Sequence, residues 1–142
     1  MNSAQKAVDI ARSLMRVKWI HQGRNVNVGI DCCGLLVLAF EPEEDFIEYS
    51  AHPHNGQLEG KLFDYFGDPV VTDRKVIADD LKLGDVVAMS FGEKGVCRHV
   101  GIIGDYLYGG PSIIHTDSSV GFVTEHAIDD AWLAKIKKVY RV

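Results

Sequence analysis

The sequence predicts an α+β fold, because helical patterns come first along the chain and strand patterns follow. Up to about residue 66 the apolar residues recur at intervals of three and four, as on one face of a helix. From residue 81 onward, short runs rich in Val and Ile alternate with turns that contain glycine. Helices and strands separated in this way are typical of N-terminal helices packed on a mainly antiparallel sheet. The 142 residues contain no repeat or linker, so we expect a single domain spanning residues 1–142.

The N-terminal half is predicted to contain three helices. The first covers residues 3–16, with Ser3 as its cap. After a polar loop, an unbroken apolar stretch predicts a buried helix over residues 32–40, which ends before Pro42 because the residue preceding a proline avoids helical geometry. A third helical pattern covers residues 58–66, within an otherwise irregular region.

The C-terminal half is predicted to consist mostly of strands separated by glycine-rich turns. Four strands are predicted, at residues 85–89, 99–103, 112–115 and 121–124. A helix over residues 129–138 and a strand over residues 139–142 are predicted to close the chain.

Composition and charge exclude several classes of protein. A hydrophobic fraction of 46% and a mean hydropathy of -0.01 are typical of a soluble globular chain. The net charge of -5, without a clustered basic surface, argues against nucleic-acid binding. The longest apolar run, residues 34–40, is too short to cross a bilayer, so no membrane insertion is expected. The N-terminus lacks the apolar core of a signal peptide, which predicts synthesis in the cytoplasm.

The three cysteines, two of them adjacent, do not form a disulfide framework, and we interpret them as free thiols. Cys32 follows Asp31 at the predicted first turn of the buried helix, where the helix dipole and the free amides stabilise a thiolate. Such a position can lower the pKa of a thiol from about 8.5 to roughly 3.5–7.5. The alternative is that Cys32 is only a small buried hydrophobic residue. Asp31 is interpreted as the helix cap.

A thiolate nucleophile needs an imidazole beside it, and His99 is the best-placed histidine. It begins a predicted strand in which Gly101 leaves space for an approaching group. His115 lies in the next predicted strand, so antiparallel pairing can bring it to His99, whose tautomer it would fix by accepting a hydrogen bond. Asp117 is the rival for this orienting role, although we favour its interpretation as a turn residue. For each histidine alone, an ordinary hydrogen-bonded strand residue is the alternative.

Five short segments, which form three groups in order along the chain, resemble the NlpC-like cell-wall peptidases, which have a papain-like fold. Residues 19–24 (WIHQGR) and 29–36 (GIDCCGLL) resemble the nucleophile motif of that family. Residues 83–87 (LGDVV) and 99–102 (HVGI) resemble its histidine segment, and residues 113–115 (IIH) resemble the strand that supplies its third polar residue. The match extends over nearly the whole chain.

The resemblance implies a papain-like (NlpC-type) domain in which a nucleophile-bearing helix packs on the sheet. In that family Cys32 would be the nucleophile, His99 the general base and His115 the orienting residue. The activity implied is hydrolysis of a peptide bond in the peptidoglycan stem peptide, near γ-D-glutamyl and a diamino acid. Neither a metal nor another cofactor is implied.

The sequence departs from the family at two positions. Cys33 stands where most members have serine. One step along a helix turns a side chain by about 100 degrees, so the two thiols cannot face one cleft, and the match favours Cys32. Trp19 stands where many members have a tyrosine that lines the oxyanion site. We therefore expect the backbone amide of Cys32 to bind the oxyanion, together with Trp19, His21 or Gln22.

Within the family, residues 21–24 (HQGR) and the closing Trp132, Tyr140 and Arg141 resemble the compact members carried by phages and gene transfer agents. This resemblance implies incorporation in a phage-like tail, with tail-tip or baseplate proteins as partners. The irregular region 43–80 would supply the docking face through its aromatic residues. These residues are Phe46, Tyr49, Phe63, Tyr65 and Phe66.

Other interpretations remain open. A metal site would combine Cys32, Cys33, Cys97, His99 and His115, but their spacing is not that of a metal motif. The same Cys-His core would serve an amidase or an acyltransferase, and a tail-assembly protein could retain the fold as structure. Four further histidines, His21, His52, His54 and His126, have no partner that the sequence identifies and are interpreted as loop residues. The loop over residues 51–56 would border the substrate groove.

Overall fold

The computed structural model describes residues 1–49, 56–92 and 96–142, and it has the predicted α+β architecture. The helices are α1 (Ala4–Ser13), α2 (Cys32–Phe40), α3 (Gln57–Phe66) and α4 (Asp130–Leu133), with a 3₁₀ turn at Ala78–Asp80. The strands are β1 (Arg24–Asn25), β2 (Gly29–Ile30), β3 (Val86–Met89), β4 (His99–Asp105), β5 (Pro111–His115), β6 (Thr124–Ala127) and β7 (Ile136–Tyr140). No helix in the described part of the chain is both long and apolar enough to cross a membrane.

Five strands form one antiparallel sheet in the order β6, β5, β4, β3, β7. The short strands β1 and β2 pair separately, just before α2. Strands β4 and β5 pair with Ile102 opposite Ile114, and strands β5 and β6 pair with His115 opposite Thr124. The predicted antiparallel pairing of the strands that carry His99 and His115 is therefore confirmed.

Two apolar layers lie on opposite faces of the sheet, because side chains alternate along each strand. The layer on the helix side joins α1, α2 and α3 to Val86, Ala88, Val100, Ile102 and Ile114. The layer on the other side includes Val87, Met89, Ile103, Ile113, Ile136 and Val139, against which Trp132 and Leu133 of α4 pack. Gly101 and Ile103 of β4 therefore lie on the side of the sheet opposite α1 and α2, whereas His99, at the start of the strand, lies beside the N-terminus of α2.

The first helix begins where the sequence predicts and ends sooner. Ser3 caps it, since its hydroxyl oxygen accepts a hydrogen bond from the backbone N–H of Lys6 at 3.3 Å. The helix ends at Ser13 because Arg16 adopts a φ of 71° and its backbone N–H donates to the carbonyl of Val123 at 2.9 Å. The segment after α1 therefore pairs with a distant part of the chain instead of continuing the helix.

The fourth predicted strand is displaced along the chain. Strand β6 covers Thr124–Ala127 rather than residues 121–124. The backbone of Val123 is already used by the segment after α1, because its N–H donates to the carbonyl of Val17 at 2.9 Å. Because of this displacement, His126 lies in strand β6, at the edge of the sheet beside β5.

The helix predicted over residues 129–138 is wrong in its second half. Helix α4 ends at Leu133, and Ile136–Tyr140 form β7 at the edge of the sheet beside β3. Ile136 and Val139 are buried in the layer opposite the large helices. Their burial against the sheet outweighs the helical pattern, and the predicted final strand accordingly begins earlier, at Ile136.

Candidate active site

Cys32 is the first residue of α2 and is partly exposed, whereas its neighbour Cys33 is 4% exposed. All three cysteines are free thiols, and Cys97 is buried in the core. The first amides of a helix have no partner within the helix and carry the positive end of its dipole. The fold therefore presents Cys32, rather than Cys33 or Cys97, as the accessible thiol in a position that stabilises negative charge.

Asp31 fixes the start of α2, as its predicted role as a cap requires. One carboxylate oxygen accepts from the backbone N–H of Gly34 at 2.8 Å and from Arg24 Nη1 at 3.1 Å. The other accepts from the backbone N–H of Gln22 at 2.8 Å and from the Tyr49 hydroxyl. These donors compensate the cost of burying a carboxylate and hold the helix start against the preceding loop.

Hydrogen bonds set the ionisation of the two adjacent thiols. A bond from Cys33 holds the pKa of Cys32 well below its usual value, with a further contribution from His99 and against the opposing effect of burial. The same bond, together with burial, raises the pKa of Cys33 well above its usual value. Burial raises the pKa of Cys97 to about 12. Cys32 is thus the most readily ionised of the three thiols, and Cys33 is its hydrogen-bond donor.

His99 begins β4 and His115 ends β5, diagonally across the pair of strands on one face of the sheet. Nε2 of His99 lies 2.8 Å from Nδ1 of His115. Burial, followed by the charges of His99 and His126, lowers the pKa of His115 to about 3, so this ring is neutral and can accept. Because His115 occupies Nε2 of His99, Nδ1 is the nitrogen left for the hydrogen bond between His99 and Cys32. The structure thus brings together all three residues predicted as catalytic.

His126 extends this pair, which corrects its interpretation as a loop residue without a partner. It lies on β6, and its Nε2 is 2.8 Å from Nε2 of His115. Its Nδ1 is 2.8 Å from the backbone carbonyl oxygen of Ala127. The interpretation was wrong because the predicted strand ended at Thr124. If the predicted strand had ended two residues later, it would have placed His126 on the same face of the sheet as His115.

A pocket of about 270 Å³ adjoins Cys32 and His99. Of the residues expected at the oxyanion site, Trp19 and His21 line this pocket. Gln22 does not fulfil that expectation, because its side-chain amide donates to the Tyr49 carbonyl at 3.0 Å and is committed to bracing the loop. Trp19 and His21, whose side chains can each donate a hydrogen bond, therefore lie in the wall of the pocket that Cys32 also lines.

The remaining loop histidines have different outcomes. His21 lies in a turn, as predicted, but it is not without a partner, because its ring is edge-on to Tyr49 at a centroid distance of 5.6 Å and its Nδ1 is 4.0 Å from Asp31. His52 and His54 lie outside the described residues, as does the groove border predicted for their loop.

The aromatic residues of region 43–80 mostly pack inward. Four of them, Phe46, Tyr49, Tyr65 and Phe66, join the core around α2 and α3. Phe63 is the exception, at 54% exposed. Within the described part of this region, the aromatic residues therefore stabilise the core and do not form the docking face that the sequence suggested.

Asp117 forms a turn beside the histidines, as predicted. Its carboxylate accepts from the Ser119 hydroxyl at 2.6 Å and from the Val120 backbone N–H at 2.9 Å.

His99, His115 and Asp117 offer ligand atoms within 4.8 Å of one another. Two nitrogens bound to one zinc ion would be about 3.3 Å apart, given Zn–N bonds of about 2.0–2.1 Å. The facing nitrogens of His99 and His115 are 2.8 Å apart, which is closer than two zinc-bound nitrogens would be and is the distance of a hydrogen bond.

The sequence matches no model of a known protein family and no curated protein. The fold is similar to solved structures of NlpC/P60 proteins. The NlpC/p60 domain of the peptidoglycan hydrolase SagA has a TM-score of 0.60 and 19% identity, over 99% of this chain and 100% of that one. The peptidoglycan hydrolase RipB from Mycobacterium tuberculosis has a TM-score of 0.60 and 22% identity, over 97% of this chain and 63% of that one.

A third similar structure is an NlpC/P60 family protein from Bacillus cereus, with a TM-score of 0.65 and 15% identity over 99% of this chain. This chain spans 40% of the length of that protein. Similarity at these identities establishes a common fold and leaves the activity to be argued from the site. The chain has the papain-like fold of the NlpC/P60 proteins, with its helices packed on one antiparallel sheet.

Proposed function

We propose that this protein is a cysteine endopeptidase that cleaves its substrate through a thioester on Cys32. The observation that supports this most directly is the series Cys32, His99, His115. In it a thiol at a helix N-terminus is hydrogen-bonded to an imidazole, and a neutral second imidazole accepts from the first. A thiol of lowered pKa beside a correctly oriented base is what nucleophilic catalysis requires.

In the proposed reaction the Cys32 thiolate attacks the carbonyl carbon of the substrate while His99 holds the proton as an imidazolium. The oxyanion that forms lies near the backbone N–H of Cys32, with Trp19 and His21 as further donors in the pocket wall. The carbon–nitrogen bond breaks as Nδ1 of His99 passes its proton to the leaving amine. Water then attacks the thioester and gives its proton to His99, and the carboxylic acid leaves as the Cys32 thiolate is restored.

The substrate we propose is the peptide stem of peptidoglycan, cut near γ-D-glutamyl and a diamino acid. Support comes from the resemblance in the nucleophile and histidine segments, and from two structural neighbours that are named as peptidoglycan hydrolases, SagA and RipB. The residues that line the pocket carry charges of both signs, with Asp31 and Asp117 acidic and Arg98 basic, which suits a stem peptide with both amino and carboxylate groups.

Digestion of purified peptidoglycan, with mass spectrometry of the released fragments, tests both the reaction and the bond. We expect new amino and carboxyl termini within the stem from the wild-type protein. Cys32→Ala and His99→Ala should release none, because the first lacks the nucleophile and the second lacks the base. Cys97→Ala is the matched control, since it removes a thiol that is 1% exposed in the core and should leave the cleavage pattern unchanged.

Other products would identify the competing functions. Stem peptides released whole from the glycan would indicate an amidase, and products that need an added amine acceptor would indicate an acyltransferase. A folded protein with a reactive Cys32 and no product would indicate a structural role. Each of these outcomes contradicts the endopeptidase.

We further propose that the protein is delivered in a phage-like tail, with tail-tip or baseplate proteins as its partners. The support is the resemblance of residues 21–24, Trp132, Tyr140 and Arg141 to the members carried by phages and gene transfer agents. Immunoblotting of purified particles is expected to detect the protein. Its presence only in the cytosol of uninfected cells would contradict this location and indicate a peptidase that recycles wall peptides.

A further inference from the structure

Three histidines form a row across three neighbouring strands of the sheet. His99 lies on β4, His115 on β5 and His126 on β6, and each is displaced by two residues from direct register with the one before. The facing ring nitrogens are 2.8 Å apart at both contacts. The row ends at the backbone carbonyl oxygen of Ala127, 2.8 Å from Nδ1 of His126.

The Ala127 carbonyl can only accept, so it determines where the protons of all three rings lie. Nδ1 of His126 must donate to it, which leaves Nε2 of the neutral ring as an acceptor. Neutral His115 then donates from Nε2 and accepts at Nδ1. His99 in turn donates from Nε2, and the lone pair on its Nδ1 is left for the proton of Cys32.

From this hydrogen-bond row we infer that His126 is a positioning residue for the base His99 and acts through His115. The inference rests on the proposed function, because it takes His99 as the base of a thiol nucleophile. Without an acceptor at position 126, either ring nitrogen of His115 can carry the proton. If Nδ1 carries it, Nε2 of His99 must accept, Nδ1 of His99 is protonated, and His99 cannot take a proton from Cys32.

The groups around His126 support its ring and act on the row from both sides. The ring packs against Trp132 with centroids 4.7 Å apart, and the ammonium group of Lys135 lies 4.3 Å from the centre of the Trp132 ring. Besides the histidines of the row, the charged groups that act on His115 are Asp117 in the turn after β5 and Lys135 after α4, which act in opposite directions. A substitution at His126 leaves both charges in place.

Two substitutions separate the acceptor at position 126 from the packing of its ring. His126→Gln places a carbonyl oxygen near the position of Nε2, whereas His126→Phe keeps a ring against Trp132 and offers no acceptor. Both side chains are uncharged, so a difference between the two variants cannot come from the loss of a histidine charge. The measurements are the rate of Cys32 alkylation by iodoacetamide against pH, and kcat and KM on a stem peptide.

We expect His126→Phe to shift the acid limb of the alkylation profile upward by about one pH unit relative to His126→Gln. The reason is that the ion pair of Cys32 and His99 requires a proton on Nε2 of His115, and this buried donor would be unpaired in the Phe variant. We expect kcat to fall about ten-fold, by analogy with the outer partners that orient metal-bound histidines, with KM unchanged. His126→Gln should stay close to the wild type.

A purely structural role for His126 predicts something different: a lower melting temperature for both variants, with equal alkylation profiles in the folded protein. That result would overturn the inference. Nitrogen NMR of the imidazole rings of the wild-type protein adds a test that does not depend on a variant. It should find the proton of His115 on Nε2 and that of His126 on Nδ1, and a proton on Nδ1 of His115 would also overturn the inference.

The alkylation and NMR measurements use no wall substrate. If they give the expected results while peptidoglycan is not cleaved, the proposed function fails and the positioning role of His126 stands. If peptidoglycan is cleaved and the two variants have equal profiles, the proposed function stands and the inference fails.

Discussion

At the scale of single residues, the site contains two adjacent thiols whose pKa values are shifted in opposite directions. The hydrogen bond from Cys33 lowers the pKa of Cys32, and the same bond raises the pKa of Cys33. A buried thiol that stays protonated can donate a hydrogen bond. Most NlpC-like peptidases have a serine at this position, and its hydroxyl can also donate a hydrogen bond. The second cysteine is therefore compatible with the chemistry expected of that serine.

Substitution of Cys33 tests its role as a donor. Cys33→Ala removes the hydrogen bond, so the pKa of Cys32 should rise and the acid limb of its alkylation by iodoacetamide should move up by about one pH unit. Cys33→Ser keeps a donor and should leave the profile close to that of the wild type. The experiment measures the alkylation rate as a function of pH, and peptide mapping identifies the modified cysteine. Equal profiles for the Ala and Ser variants would show that Cys33 does not stabilise the thiolate.

The grouping of Cys32, His99 and His115 could be predicted from the sequence because each residue belongs to a short local pattern. Cys32 begins a capped apolar helix, and His99 and His115 lie at the ends of two successive strands. The role of His126 depends on the register of β5 against β6, which is a long-range property that no local pattern records. The expectation for Gln22 fails for the same reason, since its amide bonds to a carbonyl 27 residues away.

At the scale of elements, the position of Cys32 depends on how closely α2 approaches the hairpin before it. Gly34 lies in the first turn of α2, and a Cβ atom there would collide with the carbonyl oxygen of Gly23. It would also lie 3.2 Å from Arg24 Nη1 and 3.2 Å from Cβ of Ile30. The absence of a side chain at position 34 therefore allows the contact that fixes Cys32 relative to the pocket.

Gly34→Ala should destabilise the protein, although alanine is the better helix former. The added methyl group would have to push α2 away from the hairpin, which we expect to cost roughly 1–3 kcal/mol and to lower the rate of Cys32 alkylation. Gly60→Ala in α3 is the matched control. Apart from the backbone of α3 itself and the adjoining residues, no atom of the described residues lies within 4 Å of the added carbon there, so helix propensity should stabilise that variant by up to about 1 kcal/mol. Urea denaturation measures both, and a stabilised Gly34→Ala would contradict the close approach.

The elements themselves could be predicted where a local pattern agrees with the tertiary structure. Helix α2 matches its prediction because a cap, an apolar run and a following proline all act within one segment. Strand β7 was predicted partly as a helix because its apolar residues have a spacing that suits both structures. Its burial against β3, through Ile136 and Val139, decides between them and depends on the whole sheet.

At the scale of the whole molecule, one ionic cluster joins the helical layer to the sheet. Arg12 of α1 donates to both carboxylate oxygens of Glu125 on β6, at 3.0 and 2.8 Å, and to Asp105 at the end of β4 at 2.9 Å. The Ser112 hydroxyl on β5 donates to Glu125 at 2.6 Å. The cluster thus ties α1 to three successive strands, the same strands that carry the row of histidines on their other face.

The acid sensitivity of folding should depend on Glu125. Burial raises the pKa of this carboxyl, but hydrogen bonds from Arg12 and Ser112 outweigh burial and hold it below its usual value. Because the pKa is lower in the folded protein, the stabilisation is present above the unfolded value of about 4.5 and is lost as the pH falls through the folded value.

Glu125→Gln keeps the shape and loses this titration. At neutral pH it should destabilise the protein by about 1 kcal/mol, a modest effect because the Arg12 side chain is a third exposed. As the pH falls, the melting temperatures of the two proteins, followed by circular dichroism, should converge. Carboxyls such as Asp80 and Asp117, whose pKa values are also lowered, are common to both proteins and cancel in the difference. A difference in melting temperature that stays constant from neutral to acid pH would mean that Glu125 acts through its packing and not through its charge.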